Sequence, residues 1–254
     1  MTQKCPLETH KKKKVSIDKM PAKLDYLQSM SGLILALFIS AHLFFEASII
    51  FGFEAMYFIT NLFEGYYFFG EKYPFIISIL AGAIFFIFIV HAFIAIRKFP
   101  ASYREYKIIK NHTSRMNHQD TSLWPIQAIT GFMMFFLGSV HLYMMMSNPA
   151  DIGPYASSDR IYSEWMWTLY LLLIFSVVSH AAIGAYRLCL KWGWFEGSNP
   201  KKSRPILRKT MYGIIIFYIT MSLYSLSVYF MIGYNHSDNV GERYSPTQVT
   251  KETK

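Results

Sequence analysis

Residues 75–97, FIISILAGAIFFIFIVHAFIAIR, contain no Asp, Glu, Lys or Arg before Arg97 at the end. An apolar helix of about 20 residues crosses the hydrocarbon core of a bilayer, which is about 30 Å thick. A helix also satisfies its own backbone hydrogen bonds, as lipid requires. Because further apolar stretches follow the same pattern, the sequence predicts an all-α membrane protein with five transmembrane helices. The other four lie at residues 29–52, 123–147, 163–189 and 210–233.

The composition supports a membrane protein and argues against a nucleic-acid-binding protein or a disulfide-stabilised one. Of the 254 residues, 53% are hydrophobic and 18% are aromatic. The net charge of +9 could suggest nucleic acid, but the basic residues lie between the apolar stretches, so we expect membrane lipid as the partner. The two cysteines, Cys5 and Cys189, provide neither a disulfide framework nor a thiolate cluster. We therefore predict a single membrane domain over residues 1–254.

The basic residues predict the orientation. Twenty of the 25 lysines and arginines lie in the leader 1–28, or in and beside the polar segments 98–122 and 190–209. The positive-inside rule places these segments in the cytoplasm. Five crossings then put the N-terminus in the cytoplasm and the tail 234–254 outside, and we expect this polar tail to be loose.

Four histidines, one on each of the first four apolar stretches, are the candidate functional residues. A polar side chain deep in lipid is costly and usually faces the interior of a bundle. A single such histidine is more often hydrogen-bonded to a neighbouring helix than bound to a cofactor. One histidine on each of four consecutive spans favours a shared role. They are His42, His91, His141 and His180.

The depth of each histidine predicts how the four pair. With a rise of 1.5 Å per residue, His42 and His141 lie roughly 20 and 27 Å from the inner edge, whereas His91 and His180 lie roughly 9 and 14 Å from it. The mean levels of the two pairs differ by about 12 Å. Two facing imidazoles at one level suit the axial positions of a haem iron. A zinc site would need three or four ligands at one level, and no C-x-x-C-H attachment motif is present.

A weak internal repeat accompanies the histidines. Gly32 precedes His42 by ten residues, and Gly131 precedes His141 by the same interval. The other two histidines are each followed by alanine and, several residues later, by arginine. Spans one and two therefore resemble spans three and four.

Several segments resemble a known family. The chain is similar to the dihaem cytochrome b anchor of succinate:quinone oxidoreductases, in particular the five-helix menaquinol:fumarate reductase type of epsilonproteobacteria. The resemblance covers all four histidine spans, and it is weaker in the leader, the 53–74 connector, span five and the tail. The matching segments are MPAKLDYLQS, HAFIAIRKFPASYREYK, HQDTSLWPIQAITGFMMFFLGSVHLYMMM, IGPYASS and YRLCLKWGWF.

The resemblance implies cofactors and partners. It implies two haem b groups, an outer one bound by His42 and His141 and an inner one bound by His91 and His180. Menaquinol or menaquinone would be the substrate. A flavoprotein (FAD) subunit and an iron–sulfur subunit would dock on the cytoplasmic face, in a bacterial cytoplasmic (inner) membrane. The resemblance leaves open whether two such heterotrimers associate.

The resemblance also implies roles for residues beyond the histidines. Residues similar to the inner-haem propionate contacts are Gln28, Ser29, Trp124 and Lys191. Trp124 could instead be an interfacial residue and Lys191 an ordinary positive-inside lysine. Arg160 corresponds to an arginine near the outer haem, although a surface ion pair is the alternative. Glu64 corresponds to a glutamate that receives protons from menaquinol, although it could equally be a solvated loop acid.

Two positions depart from the family. Members of the fumarate reductase branch carry a proton-path glutamate two residues before the span-four histidine, where this chain has Val178. We therefore expect turnover to move net charge across the membrane. The second departure is Glu46, on the same helical face as His42. It could take part in the quinol site, form an ion pair with Arg160, or contact water near the membrane interface.

The chain lacks a flavin or nucleotide motif and a cysteine set for an iron–sulfur cluster, so it performs no dicarboxylate chemistry alone. We expect an electron-transfer subunit of a quinol:fumarate reductase. A succinate:menaquinone reductase anchor driven by the membrane potential is the alternative, and Val178 favours it. A haem-free transporter with a histidine proton relay, and the cytochrome b subunit of a hydrogenase or formate dehydrogenase, are the rivals from other classes.

Overall fold

A computed structural model of the protein describes residues 18–116, 119–195 and 197–246. Within these residues, five helices are long and apolar enough to cross a membrane, which confirms the predicted all-α membrane fold. The helices in chain order are α1 (Met20–Glu46), α2 (Phe53–Phe63), α3 (Tyr66–Phe69), α4 (Phe75–Ile96), α5 (Tyr103–Met116), α6 (Gln119–Ser147), α7 (Pro154–Tyr162), α8 (Trp167–Trp192) and α9 (Pro200–Asn235).

The helices extend beyond several of the predicted spans. α1 begins nine residues before the predicted start at 29, and α9 begins ten residues before the predicted start at 210. Hydropathy detects only the part of a helix that contacts lipid, whereas the hydrogen-bonded backbone continues into polar sequence. In contrast, α8 begins at Trp167 instead of 163, because Trp165 adopts a left-handed conformation with φ of 60°. Residues 1–17 of the predicted leader lie outside the described residues.

Four helices form a closed ring. α1 packs on α4, α4 on α6, α6 on α8, and α8 on α1. At one end of the ring, which we call the basic end, Lys98 after α4 forms an ion pair with Asp25 of α1 at 2.9 Å, and Lys191 of α8 donates to Ser29 of α1 at 2.9 Å. At the other end, the connector end, Ser78 of α4 donates to the Met146 carbonyl of α6 at 2.7 Å. Neighbouring helices therefore run antiparallel.

The outer surface of the ring is apolar. Phe86 and Phe93 of α4 are 71% and 64% exposed, and Ile216 of the neighbouring α9 is 67% exposed. Side chains of this size on a water-exposed surface would be unfavourable, but they match a hydrocarbon environment. The exterior therefore supports burial of the helices in lipid.

The predicted connectors contain helices that close the connector end. The segment 53–74 forms α2 and α3, and α7 lies between the third and fourth spans. α9 packs on α7 and α8 and also contacts α1. An apolar cluster joins these elements through four buried side chains, Ile49, Met56, Ile161 and Tyr229. This end of the bundle is therefore covered by folded polypeptide.

The start of the tail is docked, so the prediction of a loose tail is wrong for the residues described. His236 stacks on Tyr155 with ring centroids 4.1 Å apart, and its Nδ1 lies 3.0 Å from Asp159 Oδ1. The backbone amide of Gly241 donates to Asp159 Oδ2 at 3.0 Å. Sequence reasoning missed this contact because its partners are 77 residues apart. Residues 247–254 lie outside the described residues.

Tyr244 holds the tail further along. Its hydroxyl donates to Glu54 Oε1 at 2.5 Å, and its ring packs edge-on against Phe53, Tyr57 and Tyr155. Burial, and then the Glu54 carboxylate, raise the pKa of the Tyr244 phenol above its ordinary value. The phenol therefore keeps its proton, and the hydrogen bond, at every physiological pH.

We expect Asp159→Asn to release the tail. The substitution removes the charge that strengthens two hydrogen bonds, and a hydrogen bond to a charged group contributes about 1.5–3 kcal/mol. Hydrogen exchange of the Gly241 amide, followed by mass spectrometry, should accelerate about tenfold or more. Asp238→Asn, in an exposed acid of the same tail, is the matched control and should leave this exchange unchanged. Equal exchange in both variants would contradict the docking role of Asp159.

Candidate functional site

A long cavity runs through the centre of the helix ring. Its volume is about 1190 Å³, and it is lined mainly by apolar side chains of α1, α4, α6 and α8. Pockets for a single small ligand usually measure about 300–1,000 Å³, so this cavity lies above the upper end of that range. The four predicted histidines, His42, His91, His141 and His180, all line it.

His42 and His141 face each other near the connector end. Their ring centroids are 6.0 Å apart, with an angle of 53° between the ring planes. Phe38 stacks on His42, and Tyr170 packs edge-on against His141. A bond from a transition metal to imidazole nitrogen measures about 2 Å, so one ion between two such nitrogens fits this separation. The Nδ1 atom of His141 is buried without a hydrogen-bond partner in the structure.

The two histidines nearer the basic end are oriented through Nδ1. His180 Nδ1 lies 2.9 Å from the Gln127 carbonyl oxygen, which can only accept a hydrogen bond. His91 Nδ1 lies 2.9 Å from Ser31 Oγ, whose own hydrogen is directed to the Leu27 carbonyl at 2.8 Å. Both rings therefore carry their proton on Nδ1 and present an unprotonated Nε2. Metal-binding histidines are usually held by this kind of second hydrogen bond.

Two glycines make room for these rings. A Cβ atom on Gly32 of α1 would lie 3.0 Å from His91 Cε1, and one on Gly131 of α6 would lie 2.8 Å from His180 Cε1. Each glycine therefore accommodates the histidine of the following span. The ten-residue interval of the repeat marked these glycines, but their purpose depends on which helix lies opposite.

The residues predicted for the propionate contacts meet at the basic end. Gln28, Ser29, Trp124 and Lys191 all line the cavity there. Lys191 Nζ donates to Ser29 Oγ at 2.9 Å and to the Asp25 carbonyl at 3.2 Å, and Gln28 Oε1 is buried without a partner in the structure. These donors and the cation could hold carboxylates at the mouth of the cavity.

Sequence reasoning missed other charged residues at the basic end. Asp25 forms ion pairs with Arg97 and Lys98, and Arg187 donates to Gln127 Oε1 at 2.5 Å. Lys98 and Arg187 line the cavity as well. Their proximity to Lys191 leaves an excess of positive charge, which favours binding of anionic groups. Only the tertiary fold shows that residues so far apart in the chain meet here.

The two predicted acids of the connector end have different surroundings. Glu64 is 5% exposed, so it is not a solvated loop acid. Its Oε2 lies 3.4 Å from Lys72 Nζ but has no hydrogen-bond partner among the described residues. It is not among the described residues that line the cavity. Glu46 lines the cavity and lies 3.4 Å from the Tyr229 hydroxyl. The structure thus brings Glu46, but not Glu64, to the histidines.

Arg160 lies at the connector end of the same cavity. It is 7% exposed, donates to the Asp151 carbonyl, and directs Nη1 towards Met145 Sδ at 3.6 Å. Within the described residues, no ion pair joins Arg160 to Glu46. Arg160 is therefore a buried cation beside the cavity, and the alternative of a surface ion pair does not apply.

These features fit the iron porphyrins expected from the sequence. Each porphyrin needs two opposed ligands, apolar walls and a polar end for its propionates. The chain offers unprotonated Nε2 atoms, closely approaching glycines and a basic mouth. Among the described residues, no group of three or more His, Cys, Asp and Glu side chains could hold a metal ion by itself. The residues described therefore fit porphyrin iron better than a protein-only metal site.

Comparison with known proteins identifies relatives along most of the chain. The family described as succinate dehydrogenase/fumarate reductase transmembrane subunit matches residues 103–224. The fumarate reductase cytochrome b subunit of Wolinella succinogenes is 48% identical over 227 residues, which cover 89% of each chain. The subunits of the same name from two Helicobacter pylori strains are 46% identical over 218 residues, 86% of this chain and 84% of theirs.

We expect Gly131→Ala to displace His180. Alanine favours a helix by about 1 kcal/mol over glycine, so an ordinary helical site would be stabilised. Here the new methyl group would overlap the imidazole and turn it from the cavity axis. Bound porphyrin per purified chain, measured by its optical spectrum, should fall to about half. Gly213→Ala is the control, since nothing lies within 4 Å of that position. Full porphyrin content in Gly131→Ala would contradict this packing role.

Proposed function

The chain belongs to the family of fumarate reductase cytochrome b subunits, and from this premise we propose that it is the electron-conducting membrane anchor of a menaquinol:fumarate reductase. Two haem b groups would be held in the cavity of the helix ring. They would supply reversible one-electron transfer between the two ends of the bundle. The single observation that carries this proposal is the arrangement of the four histidines along one cavity.

The chain's own residues would bind and orient the two groups. His42 and His141 would hold the outer iron, and His91 and His180 the inner one. The 6.0 Å separation of the first two rings supports their pairing, and the fixed tautomers of the other two support ligation through Nε2. The apolar walls would exclude water, which preserves these bonds and lowers the local dielectric.

The basic end would serve two tasks. The inner propionates would be held there by four residues, Gln28, Ser29, Trp124 and Lys191. At the connector end, Arg160 would contribute to the environment of the outer group. The surrounding lysines and arginines would form the cytoplasmic face that binds a flavoprotein subunit and an iron–sulfur subunit. Electrostatic complementarity of this kind orients protein partners. We further propose that the complex lies in a bacterial inner membrane, and that two heterotrimers associate.

The quinol would be oxidised at the connector end, which faces the periplasm in the orientation that the basic residues predict. Its protons would leave on that side while its electrons pass to the opposite side. Val178, where the family's proton-path glutamate stands, is 3% exposed. An aliphatic side chain carries no proton, so no proton compensates the electron movement there. This also keeps the potential-driven succinate:menaquinone reductase as the second candidate.

The pairing of the histidines can be tested by haem content. His42→Ala, His141→Ala and the double variant should each retain about one haem per chain, because the double change affects a single site. His42→Ala combined with His91→Ala should retain none. His112→Ala, in the exposed part of α5, should retain both. If the pair of changes at 42 and 141 abolishes both haems, the pairing is wrong.

The charge movement can be tested in liposomes that contain the purified complex and a potential-sensitive dye. Turnover with a membrane-permeant quinol and fumarate should generate a potential. Each charge moved against 100 mV costs about 2.3 kcal/mol, so an imposed potential should slow turnover in one direction. An ionophore that collapses the potential is the control and should abolish the dye response. Turnover without any dye response would refute the proposal.

A further inference from the structure

A second pocket, which we call the connector pocket, lies at the connector end and shares no described lining residue with the cavity of the helix ring. Its volume is about 470 Å³, within the usual range for a site that holds one small ligand. Its floor is one face of α2, formed by residues spaced three and four apart. These residues are Glu54, Tyr57, Phe58 and Asn61. Tyr66 and Tyr67 of α3 and Pro246 of the tail line the other sides.

Aromatic rings form most of the walls of the connector pocket. Phe58 and Tyr67 pack with their ring centroids 5.0 Å apart, and Tyr66 packs edge-on against Tyr67 at 5.5 Å. Gly65, with φ of 78°, turns the chain from α2 into α3 and so brings Tyr67 to Phe58. The face of an aromatic ring carries partial negative charge and attracts cations. The walls therefore favour a positively charged ligand.

The charges around the connector pocket favour the same kind of ligand. Lys72 Nζ lies 4.5 Å from the centroid of the Tyr57 ring, so the chain itself places an ammonium group on one of these rings. The charge of Lys72 is balanced by Glu64, at 3.4 Å. Among the described residues, no lysine or arginine forms an ion pair with Glu54. The Glu54 carboxylate can therefore pair with a cation from outside the chain.

Two oxygen atoms of the residues that line the pocket lack a hydrogen-bond donor. Asn61 is 4% exposed, and its Oδ1 is buried without a partner among the described residues. Glu54 Oε1 accepts a hydrogen bond from the Tyr244 hydroxyl, whereas no donor of the described residues contacts Oε2. A buried polar atom without a partner is usually satisfied by a bound group. The ligand should therefore carry a positive charge and donate hydrogen bonds, as a primary ammonium group does with its three N–H bonds.

The position of the connector pocket favours a lipid as the source of this group. The two apolar spans that flank α2 and α3 end at Phe51 and begin at Phe75, so the segment between them lies at the level of the membrane surface. Phe51, Phe68 and Phe69 are all exposed there. Exposed apolar surface of this kind marks contact with a membrane. At this level, an ammonium group is supplied by the headgroup of a phospholipid.

We propose that the connector pocket binds the primary ammonium group of a phospholipid headgroup, as found in an ethanolamine phospholipid. Glu54 is the counter-ion, Asn61 accepts a hydrogen bond, and the ring of Tyr67 contacts the cation. The tail completes the site, because Tyr244 holds one Glu54 oxygen and Pro246 lines the pocket. The bound headgroup would fasten α2, α3 and the tail to the membrane surface. This role does not depend on electron transfer through the cavity of the helix ring.

The test compares two lipids on the purified complex after its native lipids have been exchanged for detergent. The lipids are dihexanoyl phosphatidylethanolamine and its N-acetyl derivative, in which acetylation removes the charge of the nitrogen. Native mass spectrometry gives the Kd of each. Glu54→Gln removes the carboxylate charge but keeps an acceptor for the Tyr244 hydroxyl. Glu71→Gln, in an exposed acid at the same end, is the matched control, and haem content shows that each complex is intact.

In the wild-type complex, we expect phosphatidylethanolamine to bind about tenfold more tightly than the acetylated lipid, because only a charged nitrogen can pair with the Glu54 carboxylate. In Glu54→Gln, binding of phosphatidylethanolamine should weaken about tenfold, while binding of the acetylated lipid stays unchanged. Tyr67→Leu keeps an apolar side chain but removes the ring, so it should weaken binding of phosphatidylethanolamine alone, by about threefold. Glu71→Gln should match the wild type with both lipids.

Three results would overturn the proposal. Equal affinity of the wild-type complex for the two lipids would show that the nitrogen charge is not recognised. Equal weakening of both lipids in Glu54→Gln would show that the substitution acts through the structure of the pocket instead of its charge. Free ethanolamine, added as a third probe, should bind far more weakly than the lipid, and binding of equal strength would assign the pocket to a soluble amine.

Discussion

A ring nitrogen of histidine inside a membrane-spanning bundle has no water with which to form a hydrogen bond, and this constraint governs the structure. Each histidine ring must place both nitrogens against a partner or accept a large energetic cost. The chain fixes Nδ1 of His180 on a backbone carbonyl and Nδ1 of His91 on a serine whose hydrogen is already used. The opposite nitrogens then point to the cavity with their lone pairs available. The ring of helices, the glycines and the apolar walls place these rings in one mainly apolar cavity.

The parts of the fold that depend on lipid could be predicted from the sequence, and the parts that depend on contacts between distant residues could not. Span 75–97 agrees with α4 almost to the residue, since both ends are marked by proline or charge. The start of α9 was misplaced because its first turns are basic, and hydropathy does not register a helix in water. The docking of His236 on Asp159 depends on two single residues, so no periodic pattern in the sequence indicates it.

The candidate site shows the same division. The rise per residue predicted the levels of the four histidines, since depth in a helix follows from position alone. Glu64 and Glu46 could not be distinguished in this way, because the sequence gives no account of which acid faces the cavity. Glu64 forms an ion pair with Lys72, eight residues further along, although its Oε2 has no hydrogen-bond partner among the described residues. Glu46 instead meets Tyr229 from the fifth span. The fifth span thus contributes to the cavity although it carries none of the four histidines.

The length of α9 has a mechanical consequence. A helix of 36 residues measures about 54 Å, whereas the hydrocarbon core is about 30 Å thick. The surplus is concentrated at its start, where Lys201, Lys202 and Lys209 lie. These charges lie on a helix instead of an extended linker, so helix geometry sets their distance from the bilayer surface. A soluble protein that bound this helical extension would be held at a constant distance from the membrane and in a constant orientation.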